Sequence, residues 1–524
     1  MNHKKSSLSV IAIMAAIFCC ASKISAQIPG IEWQKCLGGS SVDEALAIRQ
    51  TADNGYIVAG YTDSDDSEVT GLHAPSDFWV VKLDTVGNIQ WEKALGGSNA
   101  EVAEDIMQTF DGGYIVTGYT NSNDGAGEVS GNHGTWDYWV VKLSAAGDII
   151  WQRSLGGSFQ DLGYSIKQTT DSGYIVAGSS FSDDGNVSGN HDSADAWVVK
   201  LSPTGGVQWE KSLGGSRNED ARSIKQTSDG GYIVTGTTNS NDGDFTSNHG
   251  GYDAWVMKLS DTGAIQWQRT YGDTGTDIAQ AIQQTFDSGY IVAGYSNSTA
   301  GDVTGNHGGF DYWILKISSL GDIQWENTYG GSNDDIAAAI QQTTDSGYIV
   351  AGTTFSDDSE ITANYGQSDA WIIKLSSSGG LLWQKSFGGS DYDGARSIQQ
   401  TSDSGFILAG YTLSVDSGIT DNHGGADFWV VKLGFNVQVD TTTAVVAIKP
   451  VSNTISIYPN PATQNVTITA SAKINDVIIT NLFGQTVHAQ KNNSQQVDID
   501  VAALPAGVYF MKINDGEVRK LVKE

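Results

Sequence analysis

Six histidines each stand four residues ahead of an aspartate: His73 and Asp77, His133 and Asp137, His191 and Asp195, His249 and Asp253, His307 and Asp311, His423 and Asp427. A seventh place carries Tyr365 before Asp369. An imidazole beside a carboxylate is the material of general-base catalysis and of metal ligation. One His and one Asp are too few for a zinc centre, however. Each pair runs into a tryptophan phrase, D-x-W-[VI]-[VILM]-K-[LI]. The expected role is a hydrogen-bond pin that ties a loop to the start of a strand. Just ahead of the pairs lie acids: Asp65, Asp66, Asp124, Asp183, Asp184, Asp242, Asp244, Asp357 and Asp358. Oxygen-rich loops suit calcium, and these are the candidate ligands; no other cofactor is expected. The spacing departs from the D-x-[DN]-x-[DN]-G pattern, because Gly243 falls where a third ligand would stand. Asx turns are the competing use of these residues. Trp136 is a candidate platform for stacking on a sugar ring. The few departures from the pattern are Trp136, Leu72, Pro75, Asp192 and Ala363-Asn364-Tyr365, and none forms a nucleophile–base pair, so no catalytic residue is assigned.

These residues recur because the chain repeats. One tryptophan series runs Trp33, Trp91, Trp151, Trp209, Trp267, Trp325 and Trp383, at spacings of 58, 60, 58, 58, 58 and 58. The longer interval has its extra residues near Ala126 and Gly127, in a polar loop. A second series runs Trp79, Trp139, Trp197, Trp255, Trp313, Trp371 and Trp429. Such regular placement predicts that both series are core. Each repeat reads as four strands. In the fourth, strand A is 221–227, B 231–238, C 253–260 and D 264–272. Short turns join A to B and C to D, and a polar loop of about 14 residues joins B to C. Four antiparallel strands repeated seven times suit a β-propeller. The chain opens on a lone strand D, 30–39, and its last repeat, 394–434, lacks one. The N-terminal strand is therefore expected to close the ring, which removes raw sheet edges.

The formal net charge is −31, which disfavours nucleic acid and anionic lipid as partners. Lys4 and Lys5, the apolar run 8–21 and the small-residue site ending at Ala26 predict a secretory signal peptide over 1–26. The run is short for a membrane span, and no later segment is apolar enough. Cys19 and Cys20 leave with that segment, so Cys36 is left without a disulfide partner and reads as a small strand residue.

The phrase DAWVVKLSPTGGVQWEKSLGGSRNEDARSIKQTSDGGYIVTG, 195–236, resembles the repeats of bacterial extracellular β-propellers, and the likeness extends over about 30–434. The tail has a different resemblance. Tyr458-Pro459-Asn460-Pro461, Leu482-Phe483-Gly484-Gln485, Leu504-Pro505-Ala506-Gly507-Val508-Tyr509 and the terminal Lys520-Leu521-Val522-Lys523 are similar to the C-terminal sorting domain of type IX secretion substrates in the Bacteroidetes. That likeness implies the type IX machinery as partner and a secreted or cell-surface destination. The expected architecture is all-β: signal peptide 1–26, a monomeric seven-bladed propeller 27–434, a linker 435–453 and a small β-sandwich sorting domain 454–524. The leading functional expectation is glycan or protein binding by the acidic B–C loop face. The alternatives are a polysaccharide hydrolase or lyase with a site near the central channel, and a surface spacer without a ligand.

Overall fold

The computed structural model describes residues 28–73, 75–123, 128–435, 455–481, 486–514 and 517–524. The expected signal peptide with Cys19 and Cys20, Asp124 and the insertion beside it, the linker over 436–453, and Leu482–Gln485 with Gly484 lie outside the described residues. The chain divides into two compact units, Met1–Asn436 and Val437–Glu524. No helix among the described residues is long and apolar enough to cross a membrane.

The first unit is built of seven four-stranded antiparallel sheets. In the fourth repeat the strands are Glu219–Gln226 (A), Tyr232–Thr238 (B), Asp253–Leu259 (C) and Ile265–Tyr271 (D), hydrogen-bonded in that order. Six sheets take four consecutive strands; the seventh joins Gly30–Leu37 to Asp427–Gly434, with Leu37 opposite Phe428. The repeated four-stranded sheets fit a β-propeller.

Strand C is buried along its whole length, as befits a strand covered on both faces. Its tryptophan is fully buried in every repeat. The other series needs correction. Trp33, Trp91, Trp151, Trp209, Trp267 and Trp325 are only half-buried; Trp383 alone is buried. They lie on strand D, the sheet edge, and each meets the strand-B aromatic of the next sheet, as Trp91 meets Tyr114 edge-on at 5.6 Å. These rings are therefore contacts between sheets.

The A–B turn is set by a buried lysine. The lysine of the strand-C phrase pairs with the aspartate of the turn in all seven repeats, as Lys316 with Asp287, at 2.9–3.1 Å. The glycine after that turn makes room for it. A Cβ on Gly289 would lie 2.4 Å from the Ile317 carbonyl oxygen and 2.5 Å from Lys316 Nζ.

Two series of hydrogen bonds join each sheet to the next. The first residue of each strand A donates its N–H to a carbonyl just ahead of the previous strand C, at 2.5–2.9 Å, and Asp43 donates in this way to Ala426. On the A–B turn side, the last glutamine of each strand A accepts a turn N–H from the previous sheet at 2.8–2.9 Å, and Gln50 accepts from Ser402. In both series the seventh sheet bonds to the first.

The second unit is one hydrogen-bonded five-stranded sheet. Its long strands, Asn465–Thr480 and Thr486–Asp500, lose register between Thr469 and Asp476, which separates their two halves. Val466 and Ile468 from one half and Val477 and Ile479 from the other share a single core.

Candidate functional site

Each histidine places Nδ1 2.7–2.8 Å from Oδ2 of the following aspartate. The same oxygen accepts the histidine backbone N–H in five repeats, and Tyr365 N–H bonds Asp369 in the same way at 2.9 Å. The aspartates are fully buried and the imidazoles partly exposed. Two imidazoles also reach the next sheet: His423 Nε2 lies 3.4 Å from Glu68 and His307 Nε2 3.8 Å from Glu360.

The loop acids are not gathered into a calcium site. Asp66, Asp184, Asp242 and Asp358 each accept the N–H of the serine in the Gly-Gly-Ser turn at 2.6–2.8 Å. Asp244 accepts from Gly214 at 3.2 Å and Asp183 from Gly189 at 3.2 Å. Asp65 and Asp357 are exposed. One acceptor per turn, repeated a sheet apart, does not surround an ion. Among the described residues no three His, Cys, Asp or Glu side chains converge as metal ligands.

A second set of acids escapes sequence reading because it looks like ordinary surface charge. Asp43, Glu101, Asp161, Glu219, Asp277, Asp335 and Asp393 open strand A and are buried. Each accepts a backbone N–H from its Gly-Gly-Ser turn, or from Asp273 in the fifth repeat, at 2.6–2.9 Å. Burial pushes Asp161 and Asp335, and the strand-C Asp195, Asp253, Asp369 and Asp427, up to about 6. Cys36 is buried, and burial pushes its thiol up to about 12, which leaves it inert as a nucleophile.

The seven strands A converge on a cavity of about 950 Å³. Here the repeat breaks down, contrary to the sequence reading that departures are few. Every strand A carries a β-bulge between its third and fifth residues. A bulge turns the additional residue out of the alternating pattern and aims it afresh. The bulged residues all line the cavity: Leu46, Glu104, Tyr164, Arg222, Gln280, Ala338 and Arg396. By contrast the residue two places on is isoleucine in every repeat, and the last is always glutamine.

The upper tier is a charged network. Arg396 Nε donates to Glu44 at 2.8 Å, and Tyr61 donates to the same carboxylate at 3.2 Å. Arg222 donates to Asp220 at 2.7 Å and lies over the Tyr164 ring at 4.4 Å. Burial pushes Glu104 up to about 7, against the pull of Arg222 and Arg396. Trp136 is half-buried rather than exposed, packed edge-on against Tyr119 at 5.3 Å, and Tyr119 lines the cavity. One tier below, Asp105 is held by Arg49 at 2.9 Å and by Lys167.

The tail motifs meet one another. Asn460 Nδ2 donates to the Lys520 carbonyl at 2.8 Å, and its Oδ1 accepts from Val522 N–H at 2.8 Å. Pro461 leads into Ala462, which continues the zipper, bonding Val522 and Glu524. Tyr509 donates to the Pro505 carbonyl at 2.8 Å. Tyr458 pairs with Thr467, and Gly507 with Lys523.

A stretch of 188 residues is 25% identical to the regulatory protein FlaEY of Caulobacter vibrioides, covering 34% of this chain but only 20% of that protein's length. Among solved structures, a fungal alcohol oxidase of the AA5 family in complex with copper overlaps with a TM-score of 0.41 at 11% identity, covering 95% of this chain and 99% of that one. The Pan2 WD40 domain of Neurospora crassa gives 0.42 at 11% identity, over 76% and 95%. Neither overlap is close enough to bear on activity. The family described as the secretion system C-terminal sorting domain matches residues 456–524. The ordered tail motifs and this match agree: the chain ends in a type IX sorting domain, which marks it for secretion or display at the cell surface.

Proposed function

We propose that the exported chain is a seven-bladed β-propeller, closed by its N-terminal strand, that binds a small ligand in the cavity lined by strands A. Closure is supported by the pairing of Gly30–Leu37 with Asp427–Gly434 and by the two bonds from the seventh sheet to the first, Asp43 to Ala426 and Ser402 to Gln50. The observation that carries ligand binding is the bulged position. A spacer has no need to vary one inward-facing residue in nearly every repeat while keeping the isoleucine two places on and the final glutamine constant. The loop face, favoured by its acidity, is the weaker site because its acids already serve their own turns. The test is a thermal-shift and calorimetric screen of the exported protein against sugars, sugar acids and small metabolites, repeated with Arg222→Ala and Arg396→Ala. Binding that both variants abolish while keeping the wild-type circular dichroism supports the cavity. Binding that survives both returns the site to the loops.

One observation favours an enzymatic reading as well. Glu104 holds its proton near neutrality beside Tyr119 and Arg222, a suitable setting for a general acid acting on a polysaccharide. Reducing-end release or unsaturated product from a polysaccharide panel, lost in Glu104→Gln, would establish it; a panel without product would leave the binding reading alone.

A further inference from the structure

The tier beneath the bulges holds an imbalance of charge. Its side chains come from the seventh residue of each strand A: Arg49, Met107, Lys167, Lys225, Gln283, Gln341 and Gln399. The three glutamines show what this place does by default. Gln283, Gln341 and Gln399 each accept a backbone N–H from the next strand A, those of Gln342, Gln400 and Gln50, at 2.6–2.8 Å. The first, third and fourth repeats give up glutamine for a cation, and the three cations fall on one side of the cavity.

One carboxylate answers them. Asp105 bonds Arg49 Nη2 at 2.9 Å, Ser165 Oγ at 3.3 Å, the Ile166 N–H at 3.1 Å and Lys167 Nζ. Lys225 has no carboxylate within ion-pair distance among the described residues; it lies beside Lys167, inside the cavity wall. Burial and repulsion from Lys167 hold its ammonium well below the ordinary lysine range. Crowding three partly exposed cations around one anion is unfavourable without a further negative charge. It is more notable in a chain whose net charge is −31. Around the same level stand neutral donors, the Ser165 and Ser397 hydroxyls, with Arg49 Nη1 2.9 Å from Ser397 Oγ. Met107 and the Gln283, Gln341 and Gln399 side chains make up the rest of the tier.

Resting on the reading that the cavity binds a ligand, we propose that this ligand is a small dianion, a dicarboxylate or a phosphate, whose charge is met by Lys225, Lys167 and Arg49. Arg49 and Lys167 set against Asp105 leave one positive charge, and Lys225 supplies a second when a bound anion restores its proton. The cavity volume suits a small molecule and no macromolecule.

The repeat supplies its own control. Lys225→Gln installs the residue that three other repeats carry at this place, so the fold tolerates it. Thermal unfolding of the full chain is followed at fixed ionic strength with succinate, inorganic phosphate, glucose or sodium chloride. The expected result is a Tm rise of a few degrees with succinate or phosphate and none with chloride. Which of the two acts identifies the source of the charge. In Lys225→Gln the unliganded Tm is unchanged or higher, and anion affinity falls about tenfold or more. An equal rise with chloride, or a full anion response retained in Lys225→Gln, overturns the proposal. A response to glucose alone overturns it while leaving the cavity as a ligand site; no response to any probe overturns it and counts against the cavity too.

Discussion

At the scale of single residues, the chain fixes its corners with groups that lack room to change. Gly289→Ala forces a Cβ against the Ile317 carbonyl and the Lys316 ammonium. Overpacking of this kind costs about 1–3 kcal/mol, read as a lower denaturation midpoint in guanidinium. The buried carboxylates predict an acidic optimum of stability. Asp161, Asp195, Asp253, Asp335, Asp369 and Asp427 are raised by burial to about 6 in the fold. They bind protons more tightly folded than unfolded, so their contribution is full below about 3.8 and is lost as pH rises through about 6. The turn aspartates act in the opposite sense. At Asp53, Asp171, Asp229 and Asp287 burial is outweighed by hydrogen bonds from threonine and lysine, which bring them down to about 2. Their contribution is present above about 3.8 and is lost as pH falls through about 2. The sum is a Tm higher at pH 5 than at pH 8, with the gap narrowed in Asp335→Asn. A flat profile would contradict the burial of these groups. EDTA leaves the Tm unchanged, because the loop acids serve backbone N–H groups; a fall on chelation would restore the calcium reading.

At the scale of strands, deleting residues 27–40 removes the outer strand of the seventh sheet. The loss exposes the edge of Asp427–Gly434 and should lower the melting of the first unit as one cooperative transition. A curve that matches the full-length protein would remove the basis for closure. Much of this level was legible in the sequence. The tryptophan spacing, the turn residues and the unpaired first strand D lead to four strands per repeat within a residue or two of the observed bounds. The strand-A bulge was not. It leaves no sequence mark of its own, since Ala221-Arg222-Ser223 reads as ordinary alternation. Variation at Leu46, Glu104 and Arg222 then looks like the drift of a solvent-facing strand. The seven A strands meet around a cavity, and only that placement turns the variation into a site. The loop acids misled for the converse reason: their composition resembles ligand chemistry, but the partner of Asp66, Asp184, Asp242 and Asp358 is a turn N–H 26 residues away in sequence.

At the scale of the whole molecule, a uniform scaffold carries a non-uniform interior and a sorting domain. Deleting residues 456–524 should keep the protein inside the envelope. Surface proteolysis and culture-medium fractionation would read the loss, and undiminished export would separate the sorting match from its function. Asn460→Ala removes two bonds between the start and the end of that domain and should weaken export by less than the deletion. The pairing of Gly30–Leu37 with Asp427–Gly434 also has a consequence in time. The first described strand pairs with the last strand of the repeats. At about 5–20 residues per second, the partner follows it from the ribosome by about 20–80 s. For that interval Gly30–Leu37 is a strand edge without its neighbour, and six finished sheets wait on a seventh. A chain that stalls before Asp427 therefore never acquires its last sheet, however many sound repeats it contains. The arrangement makes the presence of both ends of the repeats a condition of the seventh sheet.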